Sequence, residues 1–296
     1  RERRTESAVL LGHWALGCLA VAAMTGLAGI AVAWHRSIPG AMCGTGVLQA
    51  LGTDGSRAMI FWGVSLTLLY AWRVLDRLDG QNPASVLTRD NARMMVSAAP
   101  FLTLALFYSW QGLMRVENVP PVNCCAAVYD QVLDAPSLSA AVKRLVPFCL
   151  WSSLVGTVAL LVIAGVTIRT PHYGSGALTG IVAILWALTA VVTVKWVWSA
   201  TYFQVLSHPC PWCLFQSHYW GAGFFIFGCV AIVVMEGMAL WLADRIRHQH
   251  PVLADPAIRR RRQSACRMVA ALIIYAFLTA GPAIAWRVQT GVWIQD

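Results

Sequence analysis

Three short stretches of the chain carry side chains able to do chemistry. In "SHPCPWCLFQSHYW", residues 207–220, Cys210 and Cys213 stand three apart with Pro211 and Trp212 between them, directly ahead of a long apolar run. Two thiols at this spacing can close a small disulfide ring, and the thiolate form of either attacks other disulfides. The same spacing also serves a fixed structural disulfide or half of a zinc site. If a helix starts here, its unpaired N–H groups and positive dipole end stabilise a thiolate at Cys210. Pro211 stiffens the turn and suits a first helical turn, and Trp212 adds a flat apolar surface. The other two stretches are "CGTGVLQAL" from Cys43 and "CCAAVYDQVL" from Cys124, each with a Val four residues after its first Cys. Both read as short amphipathic helices ahead of an apolar run.

Single residues near these stretches have two readings each. Lys195 lies inside an apolar run, where a cation can steady a developing anion or thiolate; it can equally extend its ammonium to the interface. His208 and His218 flank the thiol pair and can move protons or bind metal or haem, or simply hydrogen-bond at the interface. Glu236 is about 23 residues past Cys213, about 35 Å along a helix, which puts it at the opposite surface, with no chemistry assigned.

The elements that must position these residues are membrane spans. The chain has 296 residues, 58% hydrophobic and 12% charged, about half the charged share of a soluble domain. Runs of about 20 apolar residues cross a bilayer core as helices. Seven are expected, Ala8–Trp34, Ala58–Leu78, Met94–Met114, Leu145–Ile168, Ala177–Ala200, Leu214–Met238 and Cys266–Trp286. The first is too long for the apolar part of a signal peptide. "QNPASVLTRDNAR" and "HQHPVLADPAIRRRRQ" read as polar loops. Trp34, Trp72, Trp110, Trp241 and Trp286 sit near run ends, as an interfacial belt requires.

Charge then orients the spans. With the N-terminus in the cytoplasm, Arg1, Arg3, Arg4, Arg73, Arg77, Arg89, Arg93, Arg169, Arg245, Arg247, Arg259 to Arg262 and Arg267 lie inside, and Arg36, Arg57, Arg115, Lys143, Arg144 and Arg287 outside. That asymmetry favours an N-in, C-out inner-membrane protein, and the net charge of +9 reflects topology rather than nucleic acid as a partner. Cys43, Cys124, Cys125, Cys210 and Cys213 then all face the periplasmic side, where disulfides form and persist.

"PCPWCLF" opening a span, two spans after an outer loop bearing cysteines, resembles the vitamin K epoxide reductase (VKOR) family, and less closely the quinone-linked bacterial disulfide oxidoreductases of the DsbB type, in which the pair precedes the loop cysteines. The resemblance implies an all-α membrane bundle with a four-helix core over residues 94–243, preceded by a hairpin at 1–93 and followed by a basic loop and last span at 244–296. It implies that "AAVYDQVLDA" is a half-helix, that Cys124 and Cys125 shuttle electrons, that Cys210 exchanges with the loop and that Cys213 faces the quinone. Adjacent Cys124 and Cys125 depart from the family, whose loop cysteines are separated. One alternative is a shuttle pair that joins Cys43 to one of them; another is a register using the first, second, fifth and sixth spans as the core, with Cys43 in the family loop and "GVSLTLLY" as the family's second helix.

The implied activity is thiol–disulfide exchange between outer-side protein thiols and membrane quinone (ubiquinone or menaquinone), with Trp212, Lys195 and His218 around the quinone. No thioredoxin-like stretch accompanies the spans, so the expected partner is a separate thioredoxin-like or other periplasmic thiol protein. Two other classes fit the residues: a carrier of soft metal ions, for which thiolates are suited, and a non-catalytic subunit of a respiratory or photosynthetic complex with structural disulfides, with or without haem on His35 and His218. Membrane lipid is a partner in every case.

Overall fold

A computed structural model of the protein describes residues 2–116, 120–122, 136–170, 176–204 and 210–292. Among these residues the structure is almost entirely helical, with short turns and extended links between the helices and no strand. The long helices are α1 (Glu2–Ala28), α2 (Gly44–Asp79), α3 (Thr88–Val116), α4 (Pro136–Arg169), α5 (Gly176–Thr193), α6 (Ala222–Gln249) and α7 (Ala254–Thr290). A π turn at Gly29–Ala33 prolongs α1; another at Val194–Trp198, followed by a short helix at Ser199–Phe203, prolongs α5. With these extensions, seven segments are long and apolar enough to cross a membrane. The protein is thus an all-α polytopic membrane protein, as its apolar runs predict.

So apolar a chain leaves its own hydroxyls few partners. The helices solve this locally. Ser65, Thr103, Ser109, Thr157, Thr167 and Thr193 each donate to the carbonyl four residues back, which hides the hydroxyl in the groove of its own helix.

The described segments depart from the expected boundaries in three places. The last six residues of "QNPASVLTRDNAR" are helical, because α3 begins at Thr88. Most of "HQHPVLADPAIRRRRQ" is helical, because after the turn at Pro251–Leu253 helix α7 begins at Ala254 and carries all four consecutive arginines. The sixth span begins at Ala222 rather than Leu214. The "AAVYDQVLDA" half-helix expectation, with Cys124 and Cys125, lies outside the described residues.

The chain divides into two compact units, Arg1–Cys124 and Cys125–Asp296. In the first unit α2 packs along α3. Leu16, Leu69, Trp72 and Ala98 form a small core, and His13 Nε2 lies 2.8 Å from Asp76 Oδ2 between α1 and α2. Small residues such as Ala22, Gly26, Gly55, Ala58 and Gly112 leave a cleft of about 390 Å³ among the three helices. Helix α2 is broken at Gly52, with φ 65° and ψ −156°, a conformation glycine adopts at little cost. The stretch that follows Cys43 is therefore a separate short helix, residues 44–51. Asp54, just past the break, lies 3.5 Å from Arg115 Nε of α3 and 3.4 Å from Arg57 Nη1.

The second unit is a ring of four helices in which α4 packs on α5, α5 on α6, α6 on α7, and α7 closes back on α4. Its core is continuous and runs through Leu160, Ala183, Trp186, Leu214, Ile226, Val233, Leu240, Met268, Leu272 and Tyr275. Trp186 fills the middle; its indole N–H donates to Thr157 Oγ1 at 2.8 Å, and its ring meets Tyr275 edge-on at 5.1 Å. At one end of this ring lie the C-terminus of α6 and the start of α5, since Gly176 N donates to Asp244 Oδ2 at 3.3 Å. The thiol pair precedes α6 and so belongs to the other end.

Candidate functional site

The thiol pair sits on a turn of its own. Pro211–Phe215 form a 3₁₀ turn with Cys210 as its N-cap and Pro211 inside it. Cys213 N donates to Cys210 O at 3.3 Å. In 3₁₀ geometry, side chains three apart eclipse one another, and the Cys210 and Cys213 sulfurs lie within 4.8 Å. The pair is asymmetric in access: Cys210 is buried and Cys213 partly exposed.

The turn is fastened from its C-terminal side. Leu214 and Phe215 are buried. Phe215 stacks on Phe227 of α6 at 5.5 Å and meets Phe224 edge-on at 4.8 Å. It also supports the Trp212 ring at 5.4 Å. A second 3₁₀ turn, Ser217–Tyr219, follows. Trp220 and Gly221 then take left-handed conformations, with φ 59° and 62°, and only after them does α6 start. The second 3₁₀ turn and the left-handed pair therefore stand between the thiols and the long helix. The expected stabilisation of Cys210 by that helix's dipole does not operate, because the effect falls off within one turn of a helix end.

The remaining candidates are spread along these elements. Lys195 lies on the π turn at the end of α5 that leads toward the thiol end; its Nζ sits over the Trp196 ring at 4.9 Å. A π turn inserts an extra residue and re-aims the side chains around it, which is why such turns recur at functional positions. Ser199 Oγ donates to Lys195 O at 2.6 Å and so occupies a carbonyl of the π turn. His218 is exposed on the second 3₁₀ turn, its ring edge-on to Tyr219 at 5.1 Å. Cys43 belongs to the first unit, where it caps the short helix of residues 44–51. Cys124, Cys125 and His208 lie outside the described residues.

Two features were not anticipated from sequence. Tyr219 packs edge-on to Phe203 at 4.7 Å, and its phenol is raised above its usual value, first by burial and second by the nearby Cys213. A lone Tyr in an aromatic-rich loop carries no periodic signal that would mark it. The other feature is at the far end of the ring. Glu236, expected at the surface, is only 3% exposed, 2.9 Å from Arg260 Nη2 and 3.1 Å from Arg267 Nη1. Asp244 lies 3.2 Å from both Arg247 and the fully buried Arg261. The arginines that look like a polar loop in sequence are thus partly drawn into the bundle by two carboxylates.

No protein-family model, curated protein or solved structure matches this chain.

Proposed function

We propose that the protein is a membrane thiol–disulfide oxidoreductase that passes electrons between outer-side protein thiols and membrane quinone. The observation that carries the reading is the pair of sulfurs within 4.8 Å on one tight turn at an end of the helix ring. A reaction of this type closes Cys210 and Cys213 into a disulfide as two electrons and two protons convert a quinone to its quinol. A dithiol of a separate thioredoxin-like or other periplasmic protein then reopens that disulfide by exchange and leaves as a disulfide itself. The partly exposed Cys213 is assigned to the quinone, with Trp212, Lys195 and His218 around it, and Cys210 to exchange. Cys43, at the head of its short helix, is the shuttle candidate that the described residues include; Cys124 and Cys125 keep the same candidacy by sequence. The cytoplasmic N-terminus and inner-membrane location belong to this proposal and rest on the arginine asymmetry.

The test is turnover of purified protein with a reduced model dithiol and a soluble quinone analogue. Oxidation that requires both the quinone and Cys210 supports the reading. Quinone-independent oxidation, or stoichiometric tight binding of Cu(I) at the same thiols without turnover, overturns it.

A further inference from the structure

One face of α7 changes character along its length. Arg259, Arg262 and Cys266 are exposed near its start, and Ile273, Phe277, Ile284 and Val288 are exposed further on. Spacings of three, four and seven residues keep all of these on one side of an α-helix. Asp255, one turn before Arg259, shares that side. Between the guanidiniums and the first large apolar side chain lie Cys266 and Ala270, both small and exposed. The separation from Arg262 to Ile273 is about 16 Å along the axis. At this end Glu236 lies beside Arg260 and Arg267, and Asp244 beside Arg247 and Arg261.

We propose that this face binds an anionic phospholipid lengthwise, with its phosphate at Arg259 and Arg262, its glycerol beside Cys266 and Ala270, and an acyl chain along Ile273, Phe277 and Ile284. Guanidinium recognises a phosphate diester through paired N–H groups, and a basic cluster beside a span attracts anionic lipid. The polar-to-apolar order along α7 matches that of the lipid. A second copy of the chain fits less well, because two copies inserted in the same sense and meeting on this face would oppose the same arginines. A soluble acidic protein has no use for the apolar half of the stripe. The inference stands apart from the thiol chemistry and from its quinone.

The test uses the full chain in bilayers of phosphatidylcholine with and without phosphatidylglycerol. A benzophenone attached at Cys266, with the site of coupling verified by mass spectrometry, is expected to crosslink phosphatidylglycerol in preference to phosphatidylcholine at equal mole fraction. Arg259→Gln with Arg262→Gln should reduce that preference up to about thirtyfold, given roughly fivefold per basic residue at an anionic surface. Arg287→Gln, at the opposite end of α7, should leave it unchanged. Should the double variant fail to fold, the unsubstituted chain decides by salt: preference that weakens with ionic strength supports the phosphate contact. Equal crosslinking of the two lipids, crosslinking to a second copy of the chain, or salt-independent preference overturns the proposal.

Discussion

The two ends of the four-helix ring in the second unit solve opposite problems. At the α6–α7 end, charged side chains are drawn into the bundle and neutralise one another: Glu236 with Arg260 and Arg267, Asp244 with Arg247 and Arg261. At the thiol end, no such ion network fixes the described residues, and aromatic packing does the fastening instead, through Phe215, Phe224, Phe227 and Trp212. The difference teaches what each end is able to do. A buried ion pair resists any change of charge, since removing one partner strands the other. An aromatic cradle tolerates changes in charge and bonding above it. The proposed redox chemistry, which would make and remove thiolates, is compatible with the second kind of end.

The strongest way to break this comparison is at the thiols themselves. Cys210→Ser and Cys213→Ser are each expected to reduce quinone-linked dithiol oxidation to background, while thermal unfolding shifts less than in a variant that empties the aromatic packing under the turn, because serine keeps the size of the side chain. Phe215→Ala tests the converse. It removes the buried ring that fastens the turn and should cost about 3–5 kcal/mol of stability, read by denaturant or thermal unfolding in detergent. A thiol variant as destabilised as Phe215→Ala would mean that the pair is a structural staple.

The charged end should respond in stability alone. Glu236→Ala leaves Arg260 and Arg267 facing an emptied, buried site, an expected loss of about 3–5 kcal/mol. Quinone-linked turnover per folded molecule should be unchanged. Loss of turnover without loss of stability would show that the two ends are coupled, against the division drawn here.

These contrasts also show how far the sequence was legible. Helix number and class follow from apolar runs, since a bilayer imposes one length on every span, and all seven appear. The short helix after Cys43 is legible too, because the break needs a residue that tolerates positive φ, and Gly52 is one. The start of α6 is not. "LFQSHYWGAG" is apolar enough to continue a helix, and hydropathy is blind to the left-handed pair Trp220 and Gly221 that stops it. Four arginines in a row likewise read as solvated loop. Two of them, Arg260 and Arg261, lie beside Glu236 and Asp244 of the preceding helix, a pairing that periodicity cannot register. The thiol spacing is legible as chemistry; the Phe215 contacts that hold it are contacts between elements, visible only once α6 is placed.

A smaller effect sharpens the assignment of the thiol end. Lys195 is the cation of the π turn at the end of α5, held over the Trp196 ring. Lys195→Met keeps the apolar stem and removes the charge. If the ammonium steadies a reduced quinone, its loss should raise the barrier by about 1–3 kcal/mol, a fall in turnover of roughly 5- to 160-fold. Unfolding should be little altered, since a cation–π contact at a partly exposed site contributes only about 0.5–1 kcal/mol. Full activity in this variant would leave Lys195 as an interfacial anchor and shift attention to His218.

The smallest expected effect is a titration at Tyr219. Burial is the larger cause of its raised phenol and Cys213 the second. A phenol held above its unfolded value near 10 favours the folded state fully below that pH. The contribution is lost as pH rises through the folded value, when the unfolded chain releases the proton first. Tyr219→Phe should therefore flatten the decline of stability above pH 10. The wild-type minus Tyr219→Phe difference in phenolate absorbance reports the residue among the seven tyrosines of the chain. In Cys213→Ser that titration should move down only part of the way, because burial persists when the sulfur is gone. A full return to the ordinary value would make Cys213 the dominant neighbour, and no movement at all would mean that the phenol and the thiol do not sense each other, removing Tyr219 from the site.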